Sequence, residues 1–252
     1  MNLLKRSLLL IYFIYALVLF VAWMLFFFPF IVLVSFLGPV RGGNLIYKIC
    51  MIWGEIWFPL VGIFHKNIFE FPHDKNHPYI FVANHLSFLD AAILVKTFRQ
   101  PVRPLGKEEI SKIPVFGFIY RNAIVTVHRS DARDRAKSVR RLKRFVEKGI
   151  SILIFPEGTF NETGKPVKGF FDGAFRIAIE TQTPIKPVLF LDAYDRMHFE
   201  HILTLNPGRS RAIYLEPVPV EGLTMKDLPA LREKVYSIMD KKLREYNASW
   251  IK

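Results

Sequence analysis

The segment Asn84-His-Leu-Ser-Phe-Leu-Asp90 sets an imidazole and a carboxylate five residues apart. His85 directly follows an apolar, β-rich run at 79–83, and Asp90 falls in the first turns of an expected helix at 88–96. A strand–turn–helix path can fold back so that the two side chains meet. The imidazole then takes a proton from a hydroxyl, while the carboxylate orients the ring and stabilises the imidazolium. Taken alone the pair is weak, because in a chain with seven histidines a carboxylate five residues away arises easily by chance. Ser87 has the chemistry of a nucleophile, but its place in the turn favours a supporting role.

Three further segments add weight. Phe155-Pro-Glu-Gly-Thr159 follows another apolar run at 151–155 and makes a tight polar turn that exposes backbone N–H groups beside a carboxylate. Lys107 and Arg129 flank a stretch that holds Ile113-Pro-Val-Phe-Gly117, and Thr183-Pro-Ile-Lys-Pro-Val188 enters a further strand. The order Asn-His-X4-Asp, Gly-Lys…Ile-Pro…Gly…Arg, Phe-Pro-Glu-Gly-Thr and Pro-Ile-X-Pro-Val resembles the four blocks of the glycerolipid acyltransferase family. More narrowly it resembles the bacterial 1-acyl-sn-glycerol-3-phosphate (lysophosphatidic acid) acyltransferases. The resemblance covers about 78–190.

The resemblance implies that an acyl thioester, on acyl carrier protein or coenzyme A, donates a fatty chain to the sn-2 hydroxyl of lysophosphatidic acid, giving phosphatidic acid for phospholipid biosynthesis. No resident cofactor and no acyl-enzyme are expected. His85 would be the general base and Asp90 its partner. Glu157, Gly158 and Thr159 would help hold the acceptor, and Lys107 and Arg129 would bind its phosphate. Backbone N–H groups at the helix start after His85 would stabilise the oxyanion. Two departures concern the acceptor. Where the family often has Arg or Ser after Glu-Gly-Thr this chain has Phe160, and where it often has Phe-Lys this chain has Phe170-Phe171. Lys165 and Lys168 are candidate replacements. Another lyso-lipid, such as lyso-ornithine lipid, and a non-catalytic lipid-binding protein of the same fold stay open as alternatives.

The elements that must position these residues follow from periodicity. Strands are expected at 79–83, 102–105, 124–128, 151–155, 185–190 and 211–217, and helices at 88–96, 132–148, 173–181 and 226–246. Their alternation predicts an α/β fold with a mainly parallel sheet flanked by helices, with the chemistry in loops at the carboxyl ends of strands. In the 132–148 segment, Ala132, Ala136, Val139, Leu142 and Phe145 form one apolar stripe surrounded by Arg and Lys. That basic surface suits either solvent or anionic headgroups.

No charged residue occurs from Leu8 to Leu37, and 21 residues of helix span about 32 Å, a hydrocarbon thickness. Pro29 predicts a kink or break at Phe28, which leaves a single spanning helix or a bent two-helix motif in one leaflet. Basic residues on both flanks (Lys5, Arg6, Arg41, Lys48) favour both ends on the cytoplasmic side, with the catalytic domain on that face of a bacterial inner membrane. The stretch 45–64, with Trp53 and Trp57, reads either as interfacial or as an amphipathic helix packed on the soluble domain. Two units are therefore expected: a hydrophobic anchor and interfacial helix over 1–71, and an α/β acyltransferase domain over 72–252.

Composition fits this division. Half of the 252 residues are apolar, 24 of them Phe, and the formal charge is +13. Such an excess of cations selects nucleic acid, anionic lipid or an anionic substrate, and the apolar segment favours membrane lipid, with no nucleic-acid partner. A single cysteine, Cys50, excludes a disulfide-built fold. The remaining histidines form no metal-ligand pattern, so no metal is expected.

Overall fold

The computed structural model describes residues 3–128 and 131–252. Helix α1 (Leu3–Ser35) runs through Pro29 without a break, and the chain reverses past its end, over Gly38–Gly42. Helix α2 (Gly43–Leu60) returns along α1. The expected break at Phe28 is therefore displaced to Gly38, whose φ of +81° a side chain would resist. The two helices are tied where α2 ends. Trp57 Nε1 donates to the carbonyl of Ala16 at 2.9 Å, Tyr15 Oη donates to that of Leu60 at 3.0 Å, and the Phe20 ring meets the edges of Trp53 and Trp57. One helical stretch, Arg6–Ser35, is long and apolar enough to cross a membrane. Its outer face exposes Leu8, Ile11, Val18, Phe26, Phe30 and Leu33, an apolar surface that water does not favour.

Strand β1 (Ile63–Phe69) follows at once, then β2 (Ile80–Ala83), α3 (Asp90–Thr97), β3 (Val102–Lys107), α4 (Phe116–Ala123) and β4 (Val125–Val127). Helix α5 (Ala132–Val146), β5 (Ser151–Ile154), α6 (Gly173–Thr181), β6 (Ile185–Phe190), α7 (Ala193–Arg196), β7 (Gly208–Tyr214) and α8 (Leu228–Glu245) complete the chain. The sheet order is β1-β7-β6-β2-β5-β3-β4. Strands β2 to β6 run parallel, β7 is antiparallel to β6, and β1 is parallel to β7. The central strands β2 and β5 are buried at every position, as strands covered on both faces must be.

Two layers cover the sheet. Side chains of α5, α6 and α8 pack on one face with Ile80, Val82 and Ile152. Side chains of α1, α2 and α3 pack on the other with Phe81, Leu153 and Val188. The apolar hairpin is thus part of the fold. Trp57, Phe58 and Val61 are as buried as strand residues, and β1 joins the sheet before the expected boundary at 71/72. Strand β1, helix α4 and the short helix α7 are the regular elements that periodicity did not predict.

From β2 the chain moves over α3 to β3 on one side, and from β5 over α6 to β6 on the other. Between β2 and β5 lies the point where the connections part. A crevice forms there at the carboxyl ends of the strands, the place where sheets of this type bind ligands.

Candidate active site

Both sequence blocks with a potential reactive group leave the sheet at this crevice. His85 lies two residues past β2, and Phe155-Pro-Glu-Gly-Thr159 begins just past β5. Asn84 continues β2 toward β6 with its side chain. Its Nδ2 donates to the Phe190 carbonyl at 3.0 Å, and its Oδ1 accepts from the Phe190 N–H at 2.8 Å. An Asn at this position thus closes the strand end with a side-chain amide in place of a peptide.

The path then folds back as the spacing requires. His85 Nδ1 stands 2.7 Å from Asp90 Oδ2. The same oxygen accepts the N–H groups of Leu86 at 2.9 Å and Ser87 at 3.0 Å. Asp90 is 1 % exposed, so this carboxylate is desolvated and held by three donors. A carboxylate that only accepts requires the proton on Nδ1, which leaves the lone pair on Nε2. Among the described residues, Nε2 has no hydrogen-bond partner. The ring is sandwiched by aromatics, stacked on Phe155 at 4.2 Å and tilted against Phe160 at 4.4 Å. Phe88 in turn meets Phe160 edge-on at 4.9 Å.

Glu157 is placed differently from the expectation that it holds the acceptor. It is fully buried. Its Oε1 accepts the His85 N–H at 2.9 Å and its Oε2 the Lys168 N–H at 2.8 Å. Its carboxylate therefore clasps the two loops together beneath the site. Burial pushes its pKa up to about 8, against the two backbone N–H donors that favour the ion. The carbonyl of His85 is fixed from the other side by the Asn161 N–H at 2.8 Å.

Gly158 takes φ +73°, and a Cβ there would lie 2.7 Å from the ring of Phe171. Only glycine lets that ring cover the turn. Thr159 is exposed, and its hydroxyl accepts from Lys168 Nζ at 2.8 Å. Of the two candidate replacement cations, Lys168 therefore touches the acceptor block, while Lys165 is solvent-exposed. Lys107 ends β3 on the same sheet edge, with its ammonium 3.8 Å from Glu109. Arg129 lies outside the described residues.

The turn amides are mostly engaged. Those of Leu86 and Ser87 bind Asp90, that of Leu89 binds Ser87 Oγ at 3.0 Å, and that of Asp90 binds the Ser87 carbonyl at 3.1 Å. The expected oxyanion donors at this helix start are therefore in use. The Phe88 N–H is the turn amide with no partner among the described residues. Ser87 Oγ donates to the Met197 carbonyl, so Ser87 supports the turn. His128, just past β4, is exposed. The residues that sequence reasoning passed over are Phe155, Phe88 and Asn161. Each sits within or beside a quoted motif, but none carries a group whose chemistry signals a role.

An apolar cavity of about 320 Å³ has Leu89 and Ala91, the sequence neighbours of Asp90, in its wall. It lies between the hairpin and the sheet, and Phe88, Leu89 and Ala92 line one end. Phe20, Trp53 and Tyr120 also line it. Its size is that of a small-molecule site and its walls favour a hydrocarbon.

A family model described as Acyltransferase matches residues 63–191. The 1-acyl-sn-glycerol-3-phosphate acyltransferase alpha of Homo sapiens is 28 % identical over 172 residues, which cover 68 % of this chain and 60 % of that protein. The 1-acyl-sn-glycerol-3-phosphate acyltransferase BAT2, chloroplastic, of Brassica napus is 33 % identical over 142 residues, 56 % of this chain and 41 % of that one. The chain spans about six tenths of the length of the curated relatives it matches first. The crystal structure of the 1-acyl-sn-glycerophosphate (LPA) acyltransferase, PlsC, from Thermotoga maritima superposes with a TM-score of 0.74 at 26 % identity and covers all of both chains.

Proposed function

The chain belongs to the acyltransferase family, and we propose that it transfers a fatty acyl group from an acyl thioester to the sn-2 hydroxyl of 1-acyl-sn-glycerol-3-phosphate, giving phosphatidic acid. The observation that carries this reading is the His85–Asp90 pair, with Nε2 unengaged, whose sequence neighbours Phe88, Leu89 and Ala91 line an apolar cavity. The likeness to named lysophosphatidic acid acyltransferases supports the choice of acceptor.

In this reading Nε2 takes the proton of the acceptor hydroxyl as its oxygen attacks the thioester carbonyl. Asp90 holds the imidazolium that forms. The C–S bond breaks as the tetrahedral intermediate collapses, and the imidazolium returns its proton to the departing thiolate. The Phe88 N–H, without a partner among the described residues, serves the oxyanion. The cavity receives an acyl chain, and Phe155 and Phe160 keep the imidazole in a low-dielectric setting. Lys107, Arg129, Gly158 and Thr159 serve the acceptor's phosphate and glycerol. The hairpin, whose two ends return to one side, suits insertion into one leaflet with the site at the lipid surface.

A second acceptor class has its own support. Phe160 and Phe171 wall the site with rings, which suits a headgroup other than a bare phosphate. Purified protein with an acyl thioester and a panel of lyso-lipids distinguishes the two. The expected outcome is turnover highest on lysophosphatidic acid, and a kcat about 10²–10⁴-fold lower in His85→Ala. Wild-type turnover on no lyso-lipid, or an active His85→Ala, would overturn the proposal.

A further inference from the structure

Helix α5 carries more like charge than its fold requires. Ser138, Leu142 and Val146 are buried against the sheet. On the opposite side Arg133, Lys137, Arg140, Arg141, Arg144 and Lys148 are all exposed. Their spacing of three or four places them in one stripe along the helix and the turn that follows. None of the six forms an ion pair among the described residues. The neighbouring Lys143 does, with Glu180 at 3.5 Å. Like charges four apart, as at 133/137, 137/141, 140/144 and 144/148, each cost roughly 0.2–0.5 kcal/mol. The helix dipole offsets this only in the last turn, so the stripe lowers the stability of its own helix.

Position decides which anion it faces. Helix α5 belongs to the layer with α6 and α8, on the sheet face opposite the apolar hairpin. Its cations point outward from that layer, away from the sheet face that α1 and α2 cover. The helix begins just past the carboxyl end of β4, on the same sheet edge as His85. From β2 to β4 there are three strand spacings, roughly 14 Å.

We propose that the cationic face of α5 is a docking surface for an acidic carrier protein that presents the acyl thioester on a flexible arm. This names the donor's partner and rests on the thioester-dependent transfer proposed above. A macromolecule with a negative surface would dock along the stripe by charge complementarity. Its arm would then bring the thioester over the edge of β3 and β5 to His85.

The test compares the full chain with Arg140→Glu/Arg141→Glu/Arg144→Glu, both in detergent. The same acyl group is supplied either on an acidic acyl carrier protein or as the coenzyme A ester. The expected result is a KM for the carrier-bound donor raised about tenfold or more, with loss of its salt dependence. The KM for the coenzyme A ester and for the lyso-lipid should stay within about twofold. An equal rise for both thioesters, or no rise for either, would overturn the inference. A wild type that uses the coenzyme A ester but not the carrier would overturn it while leaving acyl transfer standing. No turnover with either donor removes the underlying function, and direct titration with the carrier then decides whether the surface binds it. Sedimentation with anionic phosphatidylglycerol vesicles and neutral phosphatidylcholine vesicles checks the competing surface. Vesicle binding lost in the variant with an unchanged carrier KM would reassign the stripe to headgroups. If the triple reversal fails to fold by circular dichroism, Arg140→Gln/Arg141→Gln provides the same comparison with a smaller expected rise.

Discussion

At the residue scale, Asp90 does three things with one oxygen, so its replacement should reveal more than loss of charge. Asparagine presents an amide donor to His85 Nδ1, or turns that donor toward the N–H groups of Leu86 and Ser87. The first choice moves the imidazole proton to Nε2 and removes the base. The second leaves buried donors unsatisfied at about 1–3 kcal/mol. Asp90→Asn should therefore lower kcat by about 10²–10⁴-fold, with acceptor KM little changed. A kcat within threefold of wild type, in an assay with product quantified directly, would refute the tautomer argument. Glu157 offers a pH test. Its folded pKa of about 8 lies above the ordinary carboxyl value. Its contribution to stability is thus fully present below about pH 4.5 and is lost as pH rises toward 8. Glu157→Gln should flatten the fall in urea-unfolding stability between pH 5 and 8, and an unchanged slope would remove Glu157 as its source. The pair and its order with the later motifs were legible in the sequence. The burial of Glu157 was not, because a motif shows which group is present but not whether two backbone N–H groups have already claimed it.

At the element scale, the strands beyond Val102 and helices α5, α6 and α8 follow their apolar periods. Helix α6 and strand β6 match their expected limits. Two of the missed elements, β1 and α4, break the local rules. Strand β1 has His65, Lys66 and Asn67 at its centre. The structure satisfies His65 with Ser210 at 3.0 Å and Asn67 with the Thr97 carbonyl at 2.9 Å, partners distant in sequence. Helix α4 starts after Pro114 and Val115, with φ +61° on the β-branched Val115, and admits Gly117 because a Cβ would strike the Ser111 carbonyl at 2.2 Å. Such tertiary compensation has no local signature. Arg103 on β3 joins these layers. It is 1 % exposed, donates to the carbonyls of Pro39 and Val40 and to Asn44 Oδ1 at 2.7 Å, and lies over the Phe145 ring. It thereby fastens the hairpin turn to the strand that ends in Lys107. Arg103→Ala would orphan those acceptors at about 1–3 kcal/mol each. A loss of at least about 3 kcal/mol in denaturant unfolding is expected. A loss below about 1 kcal/mol would mean that the turn is held elsewhere.

At the scale of the whole molecule, the composition shift near residue 71 suggests an anchor attached to an independent domain, and packing contradicts that independence. Sequence reads the apolar hairpin as a lipid-facing segment because its residues are apolar on every side. For 45–64 the sequence leaves an interfacial helix and a helix packed on the domain both open, and the fold decides for packing: one side of the hairpin completes a protein core. Tyr47, Trp57, Phe58, Val61 and Ile63 are each at most 3 % exposed, packed with Phe81, Ala92, Leu94 and Val188. Burial of such a side chain contributes about 1.5–3 kcal/mol. Five of them with their facing partners therefore match the whole stability of an ordinary domain, about 5–15 kcal/mol. Removing residues 1–71 also deletes β1 and uncovers the edge of β7, a row of unpaired backbone groups that favours association. The fragment 72–252 should consequently fail to fold as a soluble monomer, even though it contains His85, Asp90 and every other motif. Expression without the hairpin, followed by analytical sedimentation and urea unfolding monitored by circular dichroism, checks this directly. A monodisperse fragment with a cooperative transition would restore the two-unit description. Aggregation or a non-cooperative profile is what a shared core demands, and it would make the membrane hairpin a condition for forming the catalytic crevice.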